Sequence, residues 1–385
     1  MDLMRNLEWI FVFAAVLAVY PLAVYPLVIA AIGMLRPRPI RRREWTPSVT
    51  ILIPAYNEAE CIAHTVENKL LQNYPPEQLQ ILVVSDASDD GTDDIVRQYH
   101  ERGVQLLRCE LRQGKAAALN VAVRQARGEI IVFSDANAEF AADAVRRMVE
   151  NFADEEIGYV TGSLRLRFGG ANAAGEGNSA YLAYENWLRS AESSAGSVIG
   201  VNGGVDAIRR DLYEDVPNDQ ITDFVLPLRV ISAKRRVIYD ERVRSFEDAN
   251  EEMSSEFRMR VRVALRALRG LSYMRAVTNP LRHPLAAFCI WSHKILRYET
   301  FVFLIIAFAS NLVLAIDRPF YRWLLMLQIL AYGAAGAGLR WQLPRALRRV
   351  TGIPSYFVAS NAAFAVATLR FLRGDKLATW RPRSG

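Results

Sequence analysis

From Leu7 to Leu35 the chain reads LEWIFVFAAVLAVYPLAVYPLVIAAIGML, and Glu8 is its only charge. In hydrocarbon every backbone N–H and C=O has to be satisfied within the segment, so a run this long and apolar is predicted to be one bilayer-crossing helix. Proline removes a helical donor, which places the expected kink at Pro21 or Pro26. A cleaved signal peptide fits less well, because the run is too long, no basic stretch opens it and no small-x-small site closes it. Arg36-Pro-Arg38-Pro-Ile-Arg41-Arg42-Arg43 follows. By the positive-inside rule these arginines hold that end in the cytoplasm and leave the N-terminus outside. Their place beside a membrane helix speaks against a nucleic-acid patch.

Two later apolar runs, Tyr298–Ile316 and Phe320–Leu339, are joined by Asp317-Arg318-Pro319 and predict a transmembrane hairpin. Arg340, Arg345, Arg348 and Arg349 then return the chain to the cytoplasmic side. Ser355–Leu369 is shorter and carries Ser360, Asn361 and Thr368. Crossing there would put Arg370, Arg373, Lys376, Arg381 and Arg383 outside, so the segment is expected to be re-entrant or interfacial. Asn279–Arg297, with Trp291 and several cations among apolar residues, reads as another interfacial helix. Three regions result: 1–45 in and beside the membrane, 46–275 soluble, and 276–385 membrane-associated again. The expected location is the cell inner membrane. Charged residues make up 23% and hydrophobic ones 51%, which excludes disorder. Cys61, Cys109 and Cys289 are scattered and odd in number, which fits a reducing compartment.

The soluble region alternates apolar strands with helices. VTILIP (Val49–Pro54), ILVVSD (Ile81–Asp86), VQLLR (Val104–Arg108) and IIVFSD (Ile130–Asp135) read as strands; Glu58–Leu71, Asp93–Arg102 and Lys115–Ala126 read as helices. Alternation of this kind predicts an α/β fold, a mostly parallel sheet with helices on both faces. In such sheets ligands sit beyond the carboxyl ends of the strands. Those ends carry Pro54-Ala-Tyr-Asn-Glu58, Ser85-Asp86-Ala-Ser-Asp89-Asp90-Gly91-Thr92 and Ser134-Asp135-Ala-Asn137. Neither GxGxxG nor GxxxxGK[ST] is present, so a dinucleotide site and a P-loop are unsupported.

PAYNE, SDASDDGT, RQGKAAALN and SDAN, in this order, resemble the nucleotide-sugar half of membrane-bound family 2 inverting glycosyltransferases, over roughly residues 48–275. The resemblance implies a GT-A-type, Rossmann-like domain flanked by transmembrane helices, as in polysaccharide synthases and glycolipid glycosyltransferases. It also implies a divalent cation, Mg²⁺ or Mn²⁺.

Carried onto this sequence, the resemblance makes Asp86 the acceptor of the uracil N3–H of a UDP-sugar. Pro54, Tyr56 and Glu58 would line the same pocket. Glu58 reads equally as a first-turn helix acid, and Asp89 and Asp90 as turn formers. Gly114-Lys115 opens a helix, where backbone N–H groups and a cation favour the donor's diphosphate; a plain surface lysine is the competing reading. Asp135-Ala-Asn137 resembles a DxD metal motif whose second acid is replaced by a neutral amide. Asp223, in Thr222-Asp223-Phe-Val-Leu-Pro-Leu-Arg229, is the expected base, with Thr222 where the family has a first acid. A helix-capping role would compete with that. Glu192-Ser193-Ser194 and Gly200-Val-Asn202-Gly203-Gly204 fall on the acceptor side. Arg258 and Arg262, four residues apart on one helix face, would meet the diphosphate. The family's Gln-x-x-Arg-Trp is incomplete there, and a membrane-surface helix reads the same residues, including Arg266 and Arg269.

The function so implied is inverting transfer of a sugar from a UDP-sugar to a membrane-embedded acceptor, a polysaccharide or a lipid. The bilayer itself would be a partner, and a homo-oligomer would widen a narrow path through so few helices. A contrasting reading is an inactive membrane scaffold, since Asn137 and Thr222 each remove a carboxylate.

Overall fold

The computed structural model describes residues 2–167, 173–248, 253–341 and 344–375. Its centre is an eight-stranded mixed sheet in the order β3-β2-β1-β4-β7-β6-β8-β5. The strands are β1 (Val49–Ala55), β2 (Leu79–Ser85), β3 (Val104–Arg108), β4 (Ile130–Ser134), β5 (Glu139–Phe140), β6 (Ile157–Arg167), β7 (Val205–Arg209) and β8 (Arg236–Asp248). The first four in spatial order are parallel, β7 runs antiparallel to both its neighbours, and β6 pairs β8 in parallel. All seven residues of β1 are buried, which is why its sequence shows no polar alternation: both faces of the sheet are covered.

One face packs α3 (Ile62–Leu70), α4 (Thr92–Arg97) and α6 (Ala144–Asn151) over Val49, Ile51, Ile53, Val83 and Val132. The other packs α5 (Lys115–Val123), α7 (Ala173–Ala195), α8 (Thr222–Ser232) and α9 (Met253–Tyr273) over Leu52, Val84, Ile131 and Tyr159. Tyr25 and Ile29 of the N-terminal apolar helix are fully buried in this second core, so that helix and the sheet domain share one interior.

That N-terminal segment is α1 (Asp2–Val19) and α2 (Tyr25–Leu35) joined by a π-helical turn, Tyr20–Val24, which contains Pro21. The wider turn absorbs the donor that proline lacks. The arginine-rich stretch beyond it is strapped to the domain. Arg38 pairs with Glu156 at 2.8 Å, Arg42 bonds Asn151 at 2.8 Å, and Arg236 reaches the Arg38 carbonyl at 2.9 Å.

The C-terminal part holds α10 (Pro284–Cys289), a π-helical turn Ile290–Ile295, α11 (Leu296–Tyr298), α12 (Thr300–Leu314), α13 (Pro319–Arg340) and α14 (Arg345–Leu372). Two helices are long and apolar enough to cross a membrane among the described residues, Leu3–Leu35 and Val350–Leu372; Pro284–Tyr298 and Thr300–Leu314, bent by 56°, give a third if taken as one span. This corrects the sequence reading in two places. The hairpin of α12 and α13 forms, but α13, which carries Arg322, Gln328 and three glycines, is not among the helices long and apolar enough to cross. Ser355–Leu369, expected to be re-entrant or interfacial, lies inside a continuous helix, which rules out a re-entrant turn. Its polar groups are hidden: Asn361 bonds the Phe357 carbonyl at 2.9 Å and Ser355 the Ala335 carbonyl of α13 at 3.0 Å. Lys376, Arg381 and Arg383 lie outside the described residues, as do the side chains of Arg345, Arg348 and Arg349. Asn279–Arg297 is helical from Pro284, but it does not lie free at an interface: His293 is fully buried and Arg297 is paired with Glu185 of α7.

Candidate active site

The strand ends meet at one edge of the sheet. Pro54 and Ala55 close β1, and Asn57 adopts φ 54°, a left-handed turn that asparagine tolerates. The β1 and β2 loops are stitched together. Asn57 Nδ2 donates to Asp89 at 2.8 Å, Ala59 N–H to Asp90 at 2.9 Å, and Glu58 N–H to the Thr92 hydroxyl at 2.9 Å. Asp89 and Asp90 are therefore loop ties, the turn-forming alternative. The Glu58 carboxylate takes a contact from Cys61 Sγ at 3.2 Å. The Arg112 guanidinium stacks 3.6 Å over the Tyr56 ring, forming one wall at this edge.

Asp86 follows β2, buried, and each of its oxygens accepts a backbone N–H: Gln113 at 2.8 Å and Gly114 at 2.8 Å. The carboxylate thereby fixes the start of α5, where Gly114 takes φ 97° and Lys115 is the first helical residue. Lys115 Nζ pairs with Asp135 Oδ1 beyond β4. Burial opposes the lysine's charge, but Asp135 and Asp223 outweigh it and hold its amine above its usual range.

Asp223 lies in the first turn of α8, with Ile221 at the N-cap position, so it does not cap that helix. Burial first and Asp135 second push its carboxyl up, while Lys115 and Arg266 pull the other way. Its Oδ1 is buried without a hydrogen-bond partner. Gly203 and Gly204, which lead into β7, form the floor. A Cβ on Gly203 would stand 2.2 Å from Asp223 Oδ2, and one on Gly204, already at φ 78°, 2.8 Å from Asp135 Oδ2. Only glycine lets both carboxylates approach that backbone.

Three residues of this neighbourhood were given no role in the site by the sequence. Asp206 of β7 is buried, accepts the Tyr159 hydroxyl, and is pushed up to about 8 by burial, with Asp223 and Asp135 adding and Lys115 opposing. A lone acid inside the apolar strand Val205–Ile208 was its only signal. Arg266 of α9 is the arginine facing Asp223, and it bonds the Gln220 carbonyl. Arg262 lies one turn away, beside Arg266, while Arg258 is exposed. The cationic face of α9 is thus as expected, but its inward member is Arg266. Lys69 of α3 is fully buried beneath Asp135–Phe140, and desolvation lowers its amine to about 7.

Among the described residues no group of three or more His, Cys, Asp or Glu side chains is disposed to hold a metal alone. The donor set nonetheless suits a hard divalent cation bound jointly with a diphosphate: Asp135 and Asn137 offer oxygens. Three acids, Asp135, Asp206 and Asp223, share one lysine, and two of their buried oxygens lack partners. A cation would give those oxygens a partner and offset the mutual repulsion that helps push the Asp206 and Asp223 carboxyls up.

A family model described as glycosyl transferase family 2 matches residues 50–216. The chain is 24% identical over 282 residues to a poly-beta-1,6-N-acetyl-D-glucosamine synthase of Staphylococcus epidermidis, covering 72% of this chain and 68% of that one. It is 29% identical over 181 residues to the synthase of the same name from Staphylococcus aureus strain COL, covering 46% of this chain and 43% of that one. Among solved structures, the mannosyltransferase PcManGT of Pyrobaculum calidifontis, in complex with GDP-Man and Mn²⁺, superposes with a TM-score of 0.73 at 26% identity, covering 95% of this chain and 99% of that one. The expected GT-A architecture is the observed one.

Proposed function

We propose that this chain, whose residues 50–216 match a family model described as glycosyl transferase family 2, moves a sugar from a nucleoside diphosphate sugar to a membrane-associated acceptor with inversion at the anomeric carbon. The observation that carries the reading is the meeting of Lys115, Asp135 and Asp223 over the Gly203–Gly204 floor.

Asp223 is the base. Its raised affinity for a proton suits it to take one from the acceptor hydroxyl as that oxygen attacks. The acceptor O–C1 bond forms while the bond from C1 to the diphosphate oxygen breaks, and the electron pair leaves with the diphosphate. Lys115 and the N-terminus of α5 bind that leaving group, with Arg266 and Arg262 facing it from α9. Asp135, with Asn137, would hold Mg²⁺ or Mn²⁺, which supplies positive charge against the departing diphosphate. Asp86 sets the α5 start and so orients Lys115. Pro54, Tyr56, Glu58 and Arg112 line the base side.

The donor is a UDP-sugar in the leading reading. GDP-mannose is the second, favoured by the solved relative that binds it. The acceptor is a cell-surface polysaccharide, as the resemblance to the poly-N-acetylglucosamine synthases supports; transfer of one sugar to a lipid is the alternative. The domain lies on the cytoplasmic side of the inner membrane, with the N-terminus outside.

Nucleotide release by detergent-purified protein, with UDP- and GDP-sugars, Mg²⁺, Mn²⁺ or EDTA, tests this directly. Release with one donor, abolished by EDTA, names that donor. Release undiminished by EDTA overturns the metal assignment, and failure to bind either nucleotide overturns the site.

A further inference from the structure

Helix α3 turns the side chains of Thr65, Asn68 and Lys69 toward the segment that carries Asp135 and Asn137. Thr65 Oγ1 donates to the Ala136 carbonyl at 2.5 Å, and Lys69 Nζ to the Ala138 carbonyl at 2.6 Å. Asn68 brackets Phe140, accepting its N–H at 2.8 Å and donating to its carbonyl at 2.9 Å. Lys69 also donates to Asn68 Oδ1 at 3.0 Å and lies 4.0 Å over the Phe140 ring. Residues spaced by three and four stack on one helix face, so the carbonyls of residues 136, 138 and 140 are held by a single rigid element. The Asp135–Ala138 turn is closed by the Ala138 N–H on the Asp135 carbonyl, at 3.2 Å.

A buried lysine whose ammonium donates to a backbone carbonyl and an amide oxygen, with no carboxylate in hydrogen-bond reach among the described residues, is an expensive way to fill a core. An apolar side chain of the same length would pack there, but it would leave the Ala138 carbonyl unsatisfied. The chemistry of the adjoining turn supplies a reason. A carboxylate attracts a cation over distance and can present either oxygen. The Asn137 amide is neutral and has one oxygen to offer, so its value as a ligand depends on how well its backbone is aimed.

We propose that Thr65, Asn68 and Lys69 are positioning residues for the metal–diphosphate site, a cradle that aims the Asp135–Asn137 turn and so compensates for the neutral amide at Asn137. The proposal rests on reading Asp135 and Asn137 as metal ligands. It acts through backbone geometry and not through the lysine's charge, which by itself would repel a cation.

The test is Mn²⁺ binding to the full-length, detergent-purified protein, followed by electron paramagnetic resonance with Mn²⁺ as the probe, beside steady-state kinetics. Thr65→Val, Asn68→Ala and Lys69→Met are each expected to weaken Mn²⁺ binding about tenfold. The metal concentration for half-maximal rate should rise in step, while kcat at saturating metal stays within about threefold, since the reacting groups are untouched. Thr65→Ser, which keeps the hydroxyl, should bind as the parent does. Asn137→Asp on the Lys69→Met background should recover affinity, because a carboxylate needs less aiming. Thr65→Val and Asn68→Ala carry the test should Lys69→Met fail to fold.

Loss of Mn²⁺ in Asp135→Asn with unchanged affinity in the three cradle variants overturns the cradle and leaves the ligand reading standing. Tighter binding in Lys69→Met alone also overturns it, showing a charge effect. No Mn²⁺ binding by the parent protein overturns the ligand reading and the cradle with it.

Discussion

The Tyr25 hydroxyl of the N-terminal membrane helix donates to Glu192 Oε1 at 2.6 Å, while Glu192 Oε2 accepts the Ile199 N–H at 3.0 Å. One fully buried carboxylate thus ties a membrane helix to the loop that continues into Gly203 and Gly204. His293 joins it from the bent C-terminal helix, 2.6 Å from Oε1, and Arg189 holds the Gly200 carbonyl of the same loop at 2.9 Å. The floor of the site is therefore positioned from the membrane side.

Glu192→Ala should lower stability by about 3–5 kcal/mol, because it strands Tyr25, His293 and the Ile199 N–H in a dry interior. Tyr25→Phe removes one bond and should cost about 1–3 kcal/mol. Thermal denaturation in detergent measures both; equal, small losses would mean that water reaches this network.

Asp223→Asn keeps the shape of the proposed base and removes its capacity to take a proton. Sugar transfer should fall by about 10²–10⁴-fold in kcat, with little change in donor KM. Equal loss in donor affinity would reassign Asp223 to donor binding.

Gly203→Ala places a methyl group 2.2 Å from Asp223 Oδ2. The displaced carboxylate should cost about a hundredfold in kcat. Gly336→Ala on α13, where an added Cβ meets nothing within 4 Å, is the matched control and should leave the rate unchanged. The two rates, compared at saturating donor, decide it.

Asp206 keeps its proton in the folded protein up to about pH 8, whereas an unfolded aspartate loses it near pH 4, at about 3.9. Between these values the folded state binds more protons than the unfolded one, so this group's contribution makes stability fall as pH rises from about 4 to about 8 and level off beyond. Asp206→Asn, which still accepts the Tyr159 hydroxyl, should remove that slope. Thermal midpoints in EDTA should show the variant gaining on the parent from pH 5 to pH 8; parallel profiles would refute the assignment.

The sequence by itself determined the first four strands, β1 to β4, and what stands at their ends. Val49–Ala55 and Ile130–Ser134 are apolar because both faces are covered, and Asp86, Gly114-Lys115 and Asp135 follow those elements at fixed offsets. The motif order therefore carried the fold and named Lys115, Asp135 and Asp223 as site residues, while the Lys115–Asp135 pair itself came from the structure. Strand alternation and turn chemistry are local, and a local pattern can be read along the chain. Tertiary structure alone decided the rest. Asp206 becomes part of the site because β7 pairs antiparallel with β4, and Arg266, two turns further along the same face of α9 than Arg258, is the arginine that packing brings to Asp223. Lys69 matters because α3 packs beneath a turn some seventy residues away in sequence. The membrane segments divided the same way: Leu7–Leu35 was legible from hydropathy, whereas Ser355–Leu369 was not, because Ser355, Ser360 and Thr368 find partners outside their own helix, at Ala335, Arg260 and Glu299, that composition does not reveal. Each of these depends on which surfaces meet, and no spacing along one chain encodes that in readable form.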